Sequence, residues 1–270
     1  MGRGSAVVPE GDGWRAAAGT GRRATVLGVV GARGGAGTST LAALTAARFA
    51  RRTSAVLVDL DPAGGGLDVT VGLEAQDGAR WPELAGARGD VPGQDVLALL
   101  PRWGGCAVLS ADRDGGAPDP EVVGDVLHSL AGVVGALVLD LPREGVRPAE
   151  PGAGPGQVRA ETAARVGGSP LGACDAIAVV ARRDLRSVAG LLAARPRLLA
   201  SGAPVGLVVP GSGPGGMSVQ ELAAAVDLPL VWSGPDARRL ARDAERGMLP
   251  RRGPAVRAAR AVVAWIDEVP

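Results

Sequence analysis

The chain has no lysine and no asparagine, so all 29 of its basic side chains other than histidine are arginine. No lysine of this chain can therefore reach an anion, whether from the same copy or from a second one. Part of that bias, with the excess of Ala, Gly, Arg, Val and Pro, fits coding in a GC-rich genome. Aromatic residues make up only 2% of the chain, so core packing must rest on Val, Leu and Ala. Its two cysteines, Cys106 and Cys174, lie far apart and match no metal-ligand spacing. They read as small buried hydrophobes in a reducing cytosol. No apolar run approaches the roughly 18 residues that a membrane-crossing helix needs. None follows Arg3, so no signal peptide is expected. A net charge of +1 excludes a polyanion binder that works by charge alone.

At 270 residues the chain is one large domain or two small ones. The stretch that organises it is Thr25 to Ala50, a short apolar strand, a glycine-rich turn and a helix from about Thr38 to Arg51. Before it, residues 1–24 read as a flexible leader, with Trp14 able to dock on the body. After it come a strand at 55–60 and a short helix or turn at 67–73. Helices are predicted at 80–89 and 95–100, a strand at 106–110, and a helix at 119–131 with Asp119 as N-cap and Pro120 in its first turn. The next strand, 135–141, is continuously apolar, as a parallel strand buried on both faces must be.

Residues 143–172 are dense in Pro and Gly, with one helix predicted at 157–166. A connection of that length reads as either an inert insertion or a mobile lid. The alternation then resumes: strand 176–181, helix 184–200, strand 205–209, helix 218–226, strand 230–232, helix 236–246 and helix 254–266. Strands alternating with helices imply βαβ units, hence one mostly parallel sheet with helices on both faces, a three-layer αβα fold over 25–267.

In open α/β sheets ligands sit beyond the carboxyl ends of the strands. Three features that suit an anion or a metal fall there: the loop Ala32 to Ser39, the pair Asp59 and Asp61, and Asp140. A strand ending in Asp usually caps the next helix, and a glycine-rich loop is often only a turn. The three in register along one chain are far more specific. They are the parts of a nucleoside triphosphate site, in which glycines admit phosphates, a hydroxyl binds Mg²⁺ and carboxylates hold the metal or orient water.

The loop Arg33-Gly34-Gly35-Ala36-Gly37-Thr38-Ser39-Thr40 resembles the deviant Walker A loop, K-G-G-x-G-K-[ST]-T, of the ParA/MinD family of P-loop ATPases. Asp59-Leu60-Asp61-Pro62 and Leu139-Asp140-Leu141-Pro142-Arg143 resemble the carboxylate-bearing strand ends of that family. Gly65-Gly66-Leu67-Asp68, Arg80-Trp81-Pro82-Glu83-Leu84 and the run from Leu99 to Arg113 are most similar to the CpaE/TadZ branch. Within it they resemble the actinobacterial CpaE-like proteins, septum-site-determining members among them. The resemblance covers 24–142 well and 173–267 loosely.

It implies ATP, or ADP, with Mg²⁺ as cofactors, and a homodimer. Gly34, Gly35, Ala36 and Gly37 would wrap the phosphates, with Thr38 in the lysine position. Ser39 would bind Mg²⁺, and Thr40 would sit near the α-phosphate. Asp140 would hold the metal through water, while Asp59 and Asp61 would assist the metal and the hydrolytic water. Arg33 stands where the signature lysine reaches the partner's nucleotide. Without an asparagine to read adenine, Pro210 and its neighbours would meet the base through backbone groups.

The departures bear on catalysis. Ala32 replaces the first glycine of the loop, and Thr38 replaces the lysine. A charge-assisted hydrogen bond is worth about 1.5–3 kcal/mol, and a cationic group can be worth about 10³-fold or more in phosphoryl transfer. The expectation is binding with weak or no hydrolysis, in a spatial regulator of septum placement or of pilus and secretion machinery. An active ATPase on membrane or DNA is the alternative. Between 236 and 260, eight arginines stand against three carboxylates, followed by an apolar run. Segment 254–267 is then either a helix packed on the sheet or a membrane-surface helix. The expected location is the cytoplasm, at the inner face of the plasma membrane if that helix binds lipid. Near-neutral net charge argues against DNA. His128, alone on its helix, reads as structural or solvated.

Overall fold

The computed structural model describes residues 23–61, 64–112, 118–143, 170–237, 240–244 and 246–269. Trp14, nearly all of the leader, the helix expected at 157–166 and most of 143–172 lie outside them.

Eight strands form one sheet in the order β3-β4-β2-β5-β1-β6-β7-β8. They are β1 (Thr25–Gly31), β2 (Ala55–Asp59), β3 (Arg102–Trp103), β4 (Cys106–Leu109), β5 (Ala136–Leu141), β6 (Ala176–Val180), β7 (Val205–Pro210) and β8 (Leu230–Gly234). Every pairing is parallel except β3 with β4, and the β7–β8 ladder carries a bulge at Leu207/Val208. The helices are α1 (Thr38–Phe49), α2 (Leu67–Val71), α3 (Gly93–Leu99), α4 (Pro120–Ala131), α5 (Leu185–Ala200), α6 (Val219–Val226), α7 (Leu240–Ala244) and α8 (Pro254–Glu268).

The three layers follow from strand alternation. In β1, Leu27 and Val29 join a core with α1 and α8, while Val26 and Val30 join a second core with α4, α5 and α6. Strands β2, β4, β5 and β6 are buried at every position, which is why each is a continuous apolar run. Cys106 and Cys174 are buried free thiols, as expected.

Three expected elements differ. The stretch 80–89 is not a helix; only Pro82–Leu84 turns, as a single 3₁₀ turn. The Arg80 guanidinium donates to the carbonyls of Leu73, Gln76, Gly78 and Ala79 and pairs with buried Asp68, which holds the backbone in a loop. The short hairpin strand β3 was not expected. The helix expected at 236–246 is seen, among the described residues, only as α7, and Asp236 pairs instead with Arg182.

Segment 254–267 packs on the sheet. Ala258, Ala259, Val262, Val263 and Ile266 of α8 are buried, chiefly against α1. Burial of each of the three larger side chains is worth about 1.5–3 kcal/mol. Its apolar face is thus spent inside the fold, which agrees with the first of the two readings, a helix packed on the sheet. Among the described residues, no helix is long and apolar enough to cross a membrane.

Candidate functional site

The chain runs from β1 through α1 to β2 on one side of β1, and from β5 to β6 on the other. This reversal opens a crevice at the carboxyl end of β1, and the loop 32–37 lies in it. The loop begins with Ala32, whose N–H donates to the Val180 carbonyl at 2.9 Å. Its own carbonyl rests on Gly190 of α5, where a Cβ would collide with it. Ala32 is not among the positive-φ residues, so its backbone needs no glycine at the first glycine position. Gly35 (φ 69°) and Gly37 (φ 99°) are left-handed, with open space where a Cβ would stand. Glycine is needed there for conformation, not for room.

Gly37 leads directly into α1. That helix has no side-chain cap and no acidic residue in its first turn. Its leading N–H groups and its positive dipole end face the loop, which is the arrangement that receives an anion. The Ser39 hydroxyl hydrogen-bonds to Asp140 at the end of β5. Asp140 sits in register with Asp59 of β2. Burial, opposed by the Ser39 bond and reinforced by the charges of Asp59 and Asp61, pushes the Asp140 carboxyl up to about 8.

Asp59 is also raised by burial, although it accepts from the N–H groups of Asp61 (3.0 Å), Leu67 (2.8 Å) and Ala111 (3.3 Å). It therefore braces the turn after β2 as much as it faces the crevice. Asp61 lies beside Gly64, and its charge is felt at Asp140.

Thr38 points its hydroxyl back into the base of the loop, 2.5 Å from where a Cβ on Gly31 would sit. Arg33 turns away along the surface. Its Nε and Nη2 bond Asp184 at 3.0 and 2.9 Å, and its Nη1 donates to the Gly34 carbonyl. Burial tends to raise the Asp184 carboxyl, but the bonds from Arg33 and Ser187 outweigh it and hold the carboxyl below its ordinary range.

A cavity of about 510 Å³ extends from Gly35, Ala36, Gly37 and Thr40 to Pro210. Val180, Val208, Trp232, Leu240 and Ala255 give it mostly apolar walls, a size and character suited to a nucleoside. At its mouth Arg182 pairs with Asp236 at 2.9 Å. The structure thus brings Pro210 into one cavity with Gly35, Ala36 and Gly37 of the loop, which lie far from it in sequence. Trp232, Arg182, Asp236 and Asp184 were not anticipated from the sequence. Arg182 and Asp184 could have been, because both follow the carboxyl end of β6.

These residues fit a nucleotide's phosphates with an accompanying divalent cation. Backbone N–H groups would hold the phosphates, and Ser39, with Asp140 behind it, would hold the cation. A divalent cation held there would neutralise negative charge on the phosphate oxygens. Among the described residues no group of three or more His, Cys, Asp or Glu side chains could hold a metal alone. The site therefore suits a cation that brings phosphate oxygens with it.

No protein-family model matches the chain. An uncharacterised protein of Mycobacterium tuberculosis is 37% identical over 240 residues, covering 88% of this chain and 63% of its own length. The chain thus spans less than two thirds of the curated relatives it matches. Among solved structures, a ParA family ATPase of Chlorobium tepidum superposes with a TM-score of 0.68 at 14% identity, over 91% of this chain and 98% of that one. The fold is that of the ParA/MinD ATPases. MinD of Aquifex aeolicus, in its cell-division complex with MinC, gives 0.66 at 18% identity over 89% and 96% of the two chains. The septum site-determining protein MinD of Pyrococcus horikoshii, solved with Mg-ADP, gives 0.64 at 18% identity over 91% and 96%.

Proposed function

We propose that the chain is a degenerate ParA/MinD-type nucleotide-binding protein of the CpaE/TadZ branch. It binds ATP or ADP with Mg²⁺, hydrolyses ATP weakly or not at all, and acts in the cytoplasm as a homodimer. Its task is spatial: placing a septum or a pilus or secretion assembly, through protein partners of those machines. The branch assignment is supported by the motifs around Gly65, Arg80 and Leu99. The positioning role is supported by structural neighbours from cell division.

One observation carries the reading. The loop keeps everything that binding requires: two left-handed glycines, an uncapped helix N-terminus and a Ser39 hydroxyl on Asp140. It lacks the cation that turnover requires, since Thr38 folds its hydroxyl against Gly31. Gly34 to Gly37 then wrap the phosphates and Thr40 lies near the α-phosphate. Asp61 orients a water, with Asp59 bracing its turn. For Arg33 to reach a partner's nucleotide it must leave Asp184. A partly exposed pair of this kind is worth about 0.2–1 kcal/mol, so its release is cheap.

The test is calorimetric titration with ATP and ADP, with and without Mg²⁺, beside a turnover assay of the wild type and Thr38→Lys. Measurable binding with negligible wild-type turnover, raised in Thr38→Lys, is expected. Robust wild-type hydrolysis would establish the active-ATPase alternative, and absence of all nucleotide binding would refute both.

A further inference from the structure

We propose that the outer face of α5 docks a protein partner: an amphipathic helix with acidic side chains beside its apolar stripe. The inference goes beyond the nucleotide reading and holds whether or not nucleotide binds.

Single exposed leucines are ordinary on a protein surface, but a row of them is not. Leu185, Leu192 and Leu199 of α5 are 77%, 50% and 46% exposed. Each is seven residues from the next, or about two helical turns, so all three fall on one side of the helix. Ala189 and Pro196, also exposed, follow the first two leucines by four residues and continue the same stripe. The far side of α5, with Leu191, Ala194 and Leu198, is buried in the core. What remains outside is an uncharged seam about 21 Å long. A narrow seam at this spacing suits one helix laid along another. A lipid surface calls for a broader apolar face, roughly 100° or more of the helix.

Charge decides which helix fits. Every charged side chain of α5 is an arginine: Arg186, Arg195 and Arg197. Two copies of the chain paired through this face would set arginine against arginine, whereas an acidic helix would answer it. The start of the seam adds to this. A cavity of about 510 Å³ there is lined by Leu185 and Met217, with Arg33, Arg183 and Arg186 against the single carboxylate of Asp184. Arg33 already holds that carboxylate. Arg183 donates to the carbonyls of Gly211 and Met217, which do not neutralise its charge. One end of the seam is therefore an apolar recess edged with positive charge. A partner helix would follow the leucines with its own apolar side chains and bring a carboxylate to the recess.

The test is fluorescence anisotropy with the full, nucleotide-free chain and two labelled peptides. Both carry leucine once per heptad over about three heptads, one flanked by glutamate and the other by lysine. The glutamate peptide is expected to bind and the lysine peptide not. Leu192→Asp should weaken the glutamate peptide roughly tenfold or more, with the thermal midpoint unchanged because the side chain lies at the surface. Arg186→Glu should weaken it too and let the lysine peptide bind. Arg51→Glu, in the exposed turn after α1 on the other side of the sheet, should change neither. Equal binding of the two peptides, binding untouched by Leu192→Asp, or no binding at all would overturn the proposal. So would a dimer, seen by sedimentation, that Leu192→Asp dissociates, which assigns the face to a second copy. Phosphatidylglycerol vesicles that bind wild type but not Leu192→Asp would overturn it in favour of lipid.

Discussion

The indole Nε1 of Trp81 donates to the main-chain carbonyl of Asp59 at 2.6 Å, in a fully buried setting. The bond ties the loop after α2 to the residue that ends β2, and so steadies the turn bearing Asp61. Trp81→Phe keeps most of the ring but orphans that carbonyl contact. A loss of about 1–3 kcal/mol in urea unfolding is expected. A change within error would show that the bond contributes nothing net.

Gly190 sits inside α5, where alanine would normally stabilise by about 1 kcal/mol. Here the Ala32 carbonyl occupies the space of its Cβ. Gly190→Ala should instead lower the thermal midpoint, as overpacking costs about 1–3 kcal/mol. It should also weaken nucleotide binding by shifting the start of the loop. A raised midpoint would mean that α5 and the loop are not in this contact.

Apart from β3, the strands, α1, α4 and the place of Asp59, Asp61 and Asp140 at strand ends were legible in the sequence, because continuous apolar runs and strand-terminal Asp residues are local signals. What was not legible depends on distant partners. Arg80 to Gly89 carries helix-forming residues, yet Arg80 spends its guanidinium on four carbonyls and the chain stays a loop. Arg33 could be read as a loop cation, but its partner Asp184 lies 151 residues away. Trp232 entered the cavity through the pairing of β7 with β8, which no spacing announces.

Asp140 gives the protein a pH dependence. Its folded pKa, pushed up to about 8, lies above its ordinary value of 3.8. The folded state therefore holds a proton that the unfolded state releases. In metal-free, nucleotide-free protein, stability is full below the lower value and falls as pH rises between them, by at most about 1.4 kcal/mol per unit. Chemical denaturation at pH 5 and pH 7.5 should show this decline, and Asp140→Asn should flatten it. An equal slope in the variant would assign the effect elsewhere.

Cys106 is fully buried, and burial pushes its thiol up to about 12. Cys174 is equally inaccessible. A colorimetric thiol reagent at pH 8 should find neither in the native protein and both in guanidinium. Rapid labelling of the folded chain would contradict the packing of β4.

The two ends of the sheet restrict how copies of this chain can meet. On one side the last strand is β3, two residues long and antiparallel; on the other it is β8, whose ladder is bulged. Short and irregular edges are poor templates for strand addition. Among the described residues neither edge therefore favours a continuous intermolecular sheet, and a contact between copies of this chain would have to use side-chain surfaces.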